Sequence, residues 1–210
     1  MLGDLKPVIA AITRRDLPNL LRYGRHAPLW CERIWIDPGS VVRRLSGFSD
    51  TDSGRVVGGD WDQMAVPLET HHKMRSAIRH WSQREPWEAT EAIDRYLEDI
   101  EIHGIRDGCR TRAEVEARLA ELDQVFETVR RDGRLRTRAE LQRGRAFRER
   151  GGIRIHISRR NEPIFGGSGY HRLAIATVLE FERIPAQLGV VHPHAIRSWR
   201  ELYGERHQIW

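Results

Sequence analysis

The sequence predicts an α/β protein of the α+β kind, in which a small mixed sheet is interrupted by a long helical insertion. Three patterns carry the expectation. Residues 32–38, ERIWIDP, alternate and stop at Asp37-Pro38, as a strand does where it runs into a turn. Residues 67–148 repeat apolar side chains at helical spacing. Residues 153–191 read as strand, turn, short strand, glycine-rich loop, helix and strand. At 210 residues the chain is long enough to bury a sizeable core, and its 40% hydrophobic and 31% charged content is that of a globular protein.

In chain order, residues 1–30 form an N-terminal extension with a weak helical signal in DLPNLLRYG and a break at Ala27-Pro28. Residues 40–45 open a short helix. Residues 46–60, rich in Gly, Ser and Asp, read as a loop, and Trp61 and Asp62 follow it. The insertion then spans 67–148. Its first helix places Met74, Ile78 and Trp81 on one face and breaks at Glu85-Pro86-Trp87. A second helix, 89–104, turns Ala92, Ile93, Tyr96, Leu97 and Ile100 inward. Thr111 and Glu114 form a capping box for a third, which carries Val115, Leu119, Leu122, Val125, Phe126 and Val129 and ends at Asp132-Gly133. An arginine-rich fourth helix covers 137–148. The strand near residues 34–36 is expected to pair with strands from 153–158 and 184–190. One domain, 31–195, holds all of this. The tail, 196–210, contributes Trp199, Tyr203 and Trp210, which suggest a short helix packing back on the body.

Composition excludes some functions. No apolar run is long enough to span a bilayer. The first residues lack a basic stretch followed by a long apolar one, so a cytoplasmic protein without membrane partners is expected. A net charge of +5 invites a nucleic-acid reading. Lysine, however, occurs only at Lys6 and Lys73, and the arginines alternate with acids in RAEVEARLAELD, as on a salt-bridged helix surface. The clearest basic cluster, Arg143, Arg145, Arg148 and Arg150, followed by Arg154, Arg159 and Arg160, is either a solvated face or a phosphate-binding surface. Cys31 and Cys109 are far apart and outside any CxxC pattern, so free thiols are expected, with Cys109 buried as a small apolar residue. His71-His72 and His192-Pro193-His194 are the nearest metal candidates. Adjacent histidines on a helix point about 100° apart, so no metal site is expected.

The chemistry concentrates in FGGSGYHR, Phe165 to Arg172. Glycines between a strand and a helix let backbone N–H groups turn inward, and the helix start adds partial positive charge, which together hold phosphate. The alternative is a tight turn with a solvated His171-Arg172 pair. Trp61 and Asp62 either shape the site from an opposing strand or serve as core anchor and helix cap. Pro86-Trp87-Glu88 is read as a helix start, with a substrate role as the alternative. His156 alternates with Ile155 and Ile157 and is expected at the solvent or pocket rim; His192 and His194 are expected at the surface.

The segment PIFGGSGYHRLAIATVLEFERIPAQLGVVHP resembles the ParB/sulfiredoxin superfamily, whose members share a short strand, a glycine-rich loop ending in His-Arg or Arg-Arg, a helix, and a strand carrying Ile-Pro. Ile36-Asp37-Pro38, Gly59-Asp60-Trp61-Asp62, Pro86-Trp87-Glu88-Ala89-Thr90 and Cys109 look like further motifs of uncharacterised ParB-like proteins. The resemblance implies a sheet of that type and nucleotide binding, with ATP or CTP and Mg²⁺. Gly166, Gly167, Ser168 and Gly169 would offer N–H groups to the phosphates, His171 and Arg172 would contact phosphate oxygens, and Asp62 and His171 would be catalytic. Ser168 stands where the family pattern has an acid; Asp60, Asp62 or Glu162 would have to replace it. The implied function is that of a phosphotransferase or nucleotide hydrolase acting on a small molecule. The other readings are a non-catalytic nucleotide-sensing or nucleic-acid-associated module, and a scaffold that binds no nucleotide. Only residues 192–210 follow the module, too few for a helix-turn-helix domain.

Overall fold

The computed structural model describes residues 12–143 and 147–205. Lys6, Arg145 and Trp210 lie outside the described residues. The order is α1 (Leu17–Tyr23), β1 (Arg33–Ile36), β2 (Arg43–Arg44), β3 (Val66–Pro67), α2 (His72–Gln83), α3 (Ala92–His103), α4 (Arg112–Asp132), α5 (Arg138–Leu141), β4 (Arg154–Ile157), β5 (Pro163–Phe165), α6 (Tyr170–Val178), β6 (Ile184–Val191) and α7 (Trp199–Tyr203). The strands form one mixed sheet, β1-β6-β4-β5-β2-β3. β1 runs antiparallel to β6, which runs parallel to β4; β4 and β5 are antiparallel, β5 and β2 parallel. The 34–36 strand therefore pairs with β6 directly and reaches β4 only through it.

All eight residues of β6 are buried because the sheet is covered on both faces. Ile155, Ile157, Phe165 and Leu188 share the main core with Leu173, Ala174 and Ala176 of α6. The other face carries Ile164 and Val190 under Trp61, Phe48 and Val57. The segment expected to be a loop at 46–60 is thus a lid on the sheet. Gly54 N–H donates to Gly189 O at 2.7 Å and Val57 N–H to Val191 O at 3.0 Å. That lid corrects two expectations. His156 is wholly buried, not at a rim, because alternation along β4 points it into the lid layer. His192 is buried too, its Nε2 3.2 Å from Gly59 O, while His194 is exposed as expected.

Of residues 40–45, Ser40 closes a 3₁₀ turn and Arg43–Arg44 form β2, so no α-helix opens there. Val41 is buried while Val42 is exposed, the alternation of a strand, and Leu45 N–H donates to Phe165 O at 2.8 Å. The helical region follows the sequence closely. Thr111 and Glu114 make their capping box, and Gly133, at φ 66°, ends α4. Pro86-Trp87-Glu88 opens a short 3₁₀ turn with Trp87 buried. The fourth helix shrinks to α5, and Arg143 and Arg148 take φ of 50° and 49°, outside a right-handed helix. Arg148 is drawn to Asp16, at 2.9 Å, and to Trp30 O, at 2.6 Å. Although burial opposes it, Arg148 and the N–H groups of Thr13 and Trp30 hold the Asp16 carboxyl below its usual range. Trp199 of α7 is fully buried, its Nε1 donating to His26 O at 3.0 Å, so the tail packs back on the body. Cys31 and Cys109 are free and buried. Among the described residues, no helix is long and apolar enough to cross a membrane.

Candidate functional site

β5 delivers the chain into the glycine loop and α6 takes it away. Gly166 N–H closes the β4–β5 ladder on Arg154 O at 2.8 Å. A Cβ at Gly166 would stand 2.7 Å from His156 Nε2, so this glycine makes room for a buried imidazole. Gly169, at φ 88°, would bring a Cβ within 3.0 Å of the Ile153 backbone. Gly167, at φ 84°, faces open space. Gly166 therefore answers to packing, Gly167 to backbone geometry, and Gly169 to both. Ser168 is anchored at both ends: its carbonyl accepts Arg154 N–H and its hydroxyl donates to Gly152 O, each at 3.2 Å.

The N–H groups from Gly167 to Arg172 donate to no acceptor among the described residues, and no side chain caps α6. Free donors at a helix start are ordinary, and together with the dipole they are the geometry in which an anion can be held. The surroundings are basic. The Tyr170 ring stacks on His71, centroids 3.9 Å apart, and His71 is the N-cap of α2. The starts of α2 and α6 therefore meet, and the two helices run side by side in the same direction. Arg44 lies beside Tyr170, its Nε buried with no partner among the described residues.

Arg154 braces the loop. Its Nε and Nη2 donate to Gly166 O at 3.0 and 2.7 Å, and its Nη1 meets Asp50 Oδ1 at 2.6 Å. Gln187 Nε2 also donates to Asp50 Oδ1, at 3.2 Å. Sequence reasoning saw Arg154 only as part of a basic cluster and missed Asp50 and Arg44. None of the three belongs to a motif; strand register and the lid bring them to the loop.

The predicted site residues separate. His171 lies among Lys73, Asp107, Arg118 and His72, on the side of the helical insertion; burial, then Lys73, holds its imidazole down at about 4, so it is neutral at pH 7. His71 is held at about 4 by burial and by His72, Arg44 and Lys73. Arg172 turns back along the chain, donating to Arg136 O at 2.9 Å near the fully buried Glu149. Asp62 stands at the opposite end of β5 from the glycine loop. It accepts Arg159 N–H at 3.0 Å and the Arg159 Nη2 at 2.8 Å, and although burial opposes it, Arg159 holds its carboxyl down at about 2. Asp60 pairs with the same arginine and Glu162 with Arg43 at that end of β5, so their position keeps both from replacing the missing acid at the loop. The basic cluster also disperses: Arg148, Arg154 and Arg159 each hold an acid. Among the described residues, no group of three or more His, Cys, Asp or Glu side chains is placed to hold a metal ion. No family model, curated protein or solved structure matches the chain.

Proposed function

We propose that this chain binds a nucleoside triphosphate, ATP or CTP, with its phosphates at loop 166–169 and the start of α6. The observation that carries the reading is the run of N–H groups from Gly167 to Arg172 without an acceptor among the described residues. Arg44 and the start of α2 supply charge of the right sign from the facing side. His171 and Arg172 then support the loop from behind: the neutral imidazole and the half-buried guanidinium fix α6 and its first turn.

Mg²⁺, when bound, would neutralise phosphate charge. A lone carboxylate suffices when phosphates and waters complete the shell. Asp50 fits that part: its Oδ1 is held by Arg154 and Gln187, and its side chain is 42% exposed. Asp62 cannot act as a base while Arg159 holds its carboxylate. Binding is therefore the better-supported half of the proposal. Phosphoryl transfer to a small acceptor, or hydrolysis, is the second reading, favoured only by Asp50 beside the loop. A nucleic-acid role is weaker, because the arginines it would need are paired with acids.

The test is a thermal-shift series with ATP, CTP, GTP, UTP and inorganic triphosphate, each with and without Mg²⁺. A ligand at a hundredfold its Kd stabilises the fold by about 2.7 kcal/mol. Stabilisation that is lost in Arg44→Ala and retained in Asp62→Asn supports the reading, and dependence on Asp50 only with Mg²⁺ places the metal. No stabilisation by any of the five overturns it.

A further inference from the structure

We propose that a cleft at the far end of α2 and α6 binds an alkylated ammonium group, with Asp123 as its counter-ion. The cleft, of about 690 Å³, is lined by His80, Trp81 and Arg84 at the end of α2, by Asp123 and Phe126 of α4, and by Val178 and Leu179 at the end of α6. It is separate from the glycine loop, which adjoins the opposite ends of the same two helices, and it does not depend on the nucleotide reading.

The walls are aromatic. Trp81 lies flat against Phe126, centroids 5.1 Å apart and planes within 10°. Behind them Trp87 stands edge-on to Trp81 at 5.7 Å, and His80 stacks on Trp87 at 4.0 Å. Asp123 sits at the centre of this group. Its Oδ1 receives Trp81 Nε1 at 2.9 Å and faces His80 Nε2 at 3.0 Å; its Oδ2 receives Trp87 Nε1 at 3.1 Å. The other nitrogen of His80 is 2.6 Å from Glu85 O.

No lysine or arginine pairs with Asp123 among the described residues, whereas the chain pairs most neighbouring acids with arginine; its one basic partner there is His80, which balances the carboxylate only when the ring is protonated. Glu85 is taken by Arg79 and Glu127 by Arg130, so those charges cancel, and Arg84 remains as a cation at the rim with no acid partner among the described residues. The side chain of Asp123 is 39% exposed, and Trp87 is the single donor to Oδ2 among the described residues, which leaves that oxygen open to the cleft. The ends of α2 and α6 add partial negative charge from their last carbonyls.

A fixed carboxylate beside indole and phenyl faces suits one chemistry above others. A metal ion needs several oxygens, and without phosphate oxygens beside it one carboxylate does not supply them. A cation whose charge is spread over methyl groups gains from both the carboxylate and the ring faces. Such a group can come from a free quaternary amine or from a methylated lysine side chain.

The experiment follows the indole N–H resonances of Trp81 and Trp87 in the ¹⁵N-labelled full chain, with Trp→Phe variants for assignment. Titrants are choline, its neutral isostere 3,3-dimethylbutan-1-ol, and a peptide carrying trimethyl-lysine. The expected result is saturable movement of both resonances with choline or the peptide, the tighter of the two naming the source. The neutral alcohol should bind about tenfold more weakly, Asp123→Asn should weaken choline binding about tenfold, and Phe126→Leu about threefold. If Asp123→Asn fails to fold, the isostere comparison on the unaltered chain and Phe126→Leu decide. No saturable movement with either cation, or equal affinity for the alcohol, overturns the proposal and leaves the cluster as a staple between α2 and α4.

Discussion

Replacing Asp62 by Asn tests both the energetics and the site assignment. The carboxylate is 4% exposed and meets the Arg159 backbone N–H, Nε and Nη2 at 2.8–3.1 Å. In the folded chain it titrates at about 2, against 3.8 for a free aspartate. Each pH unit of that displacement is worth about 1.4 kcal/mol, so the ionised form stabilises the fold by about 2.5 kcal/mol. Because the folded value lies below the unfolded one, this stability is fully present above 3.8 and is lost as pH falls toward 2. Urea unfolding of wild type and Asp62→Asn should differ by about 2.5 kcal/mol at pH 6 and by about 1 kcal/mol at pH 2.5. A gap below about 0.5 kcal/mol at pH 6, or an equal gap at both pH values, would refute the reasoning. Under the proposed nucleotide reading, stabilisation by nucleotide should survive the change, because Asp62 lies at the end of β5 away from the loop.

The buried histidines act in the same direction over another range. His71, His156 and His171 are held at about 4, about 3 and about 4, chiefly by burial, so the unfolded chain takes up protons first. Stability should be full above about 6.5 and fall on acidification, a loss that a Tm series from pH 7.5 to 5 will read and His171→Gln will make shallower. Gly189→Ala places a Cβ 2.1 Å from His156 Nδ1 and should cost about 3 kcal/mol or more in denaturant unfolding. Gly167→Ala meets no neighbour and should cost only the strain of its positive φ, about 1 kcal/mol. Burial raises the Cys31 and Cys109 thiols, so a disulfide reagent should label neither in the native chain and both in denaturant.

The helical insertion was the most legible part of the fold because its signals are local. The capping box of Thr111 and Glu114, the stop at Gly133 and the break at Glu85-Pro86 each depend on a few adjacent residues. The strands β2 and β3 were missed because two residues carry no periodicity; partners distant in sequence make them. His156 was misplaced for a related reason. Alternation gave its face correctly, but nothing in residues 46–60 announced that they fold over that face. At the site, the glycine loop could be read, since φ above zero demands glycine at Gly167 and Gly169. Its braces could not. Asp50, Arg154 and Gln187 come from three separate segments, and only the sheet brings them together.

The pairing of β1 with β6 also governs how the chain can assemble. These strands stand near opposite ends of the described sequence, and every helix of the insertion lies in the loop they enclose. Closing that loop costs entropy before any β1–β6 bond forms, and such distant pairings are slow. The insertion's helices close over short separations and carry their own caps, so they should be protected first in pulse-labelled amide exchange. The glycine loop needs β4 and β5 in register before Gly166 and Ser168 find their partners. The loop is thus a late product of folding, and under the proposed nucleotide reading phosphate compounds should slow global unfolding without hastening the early collapse.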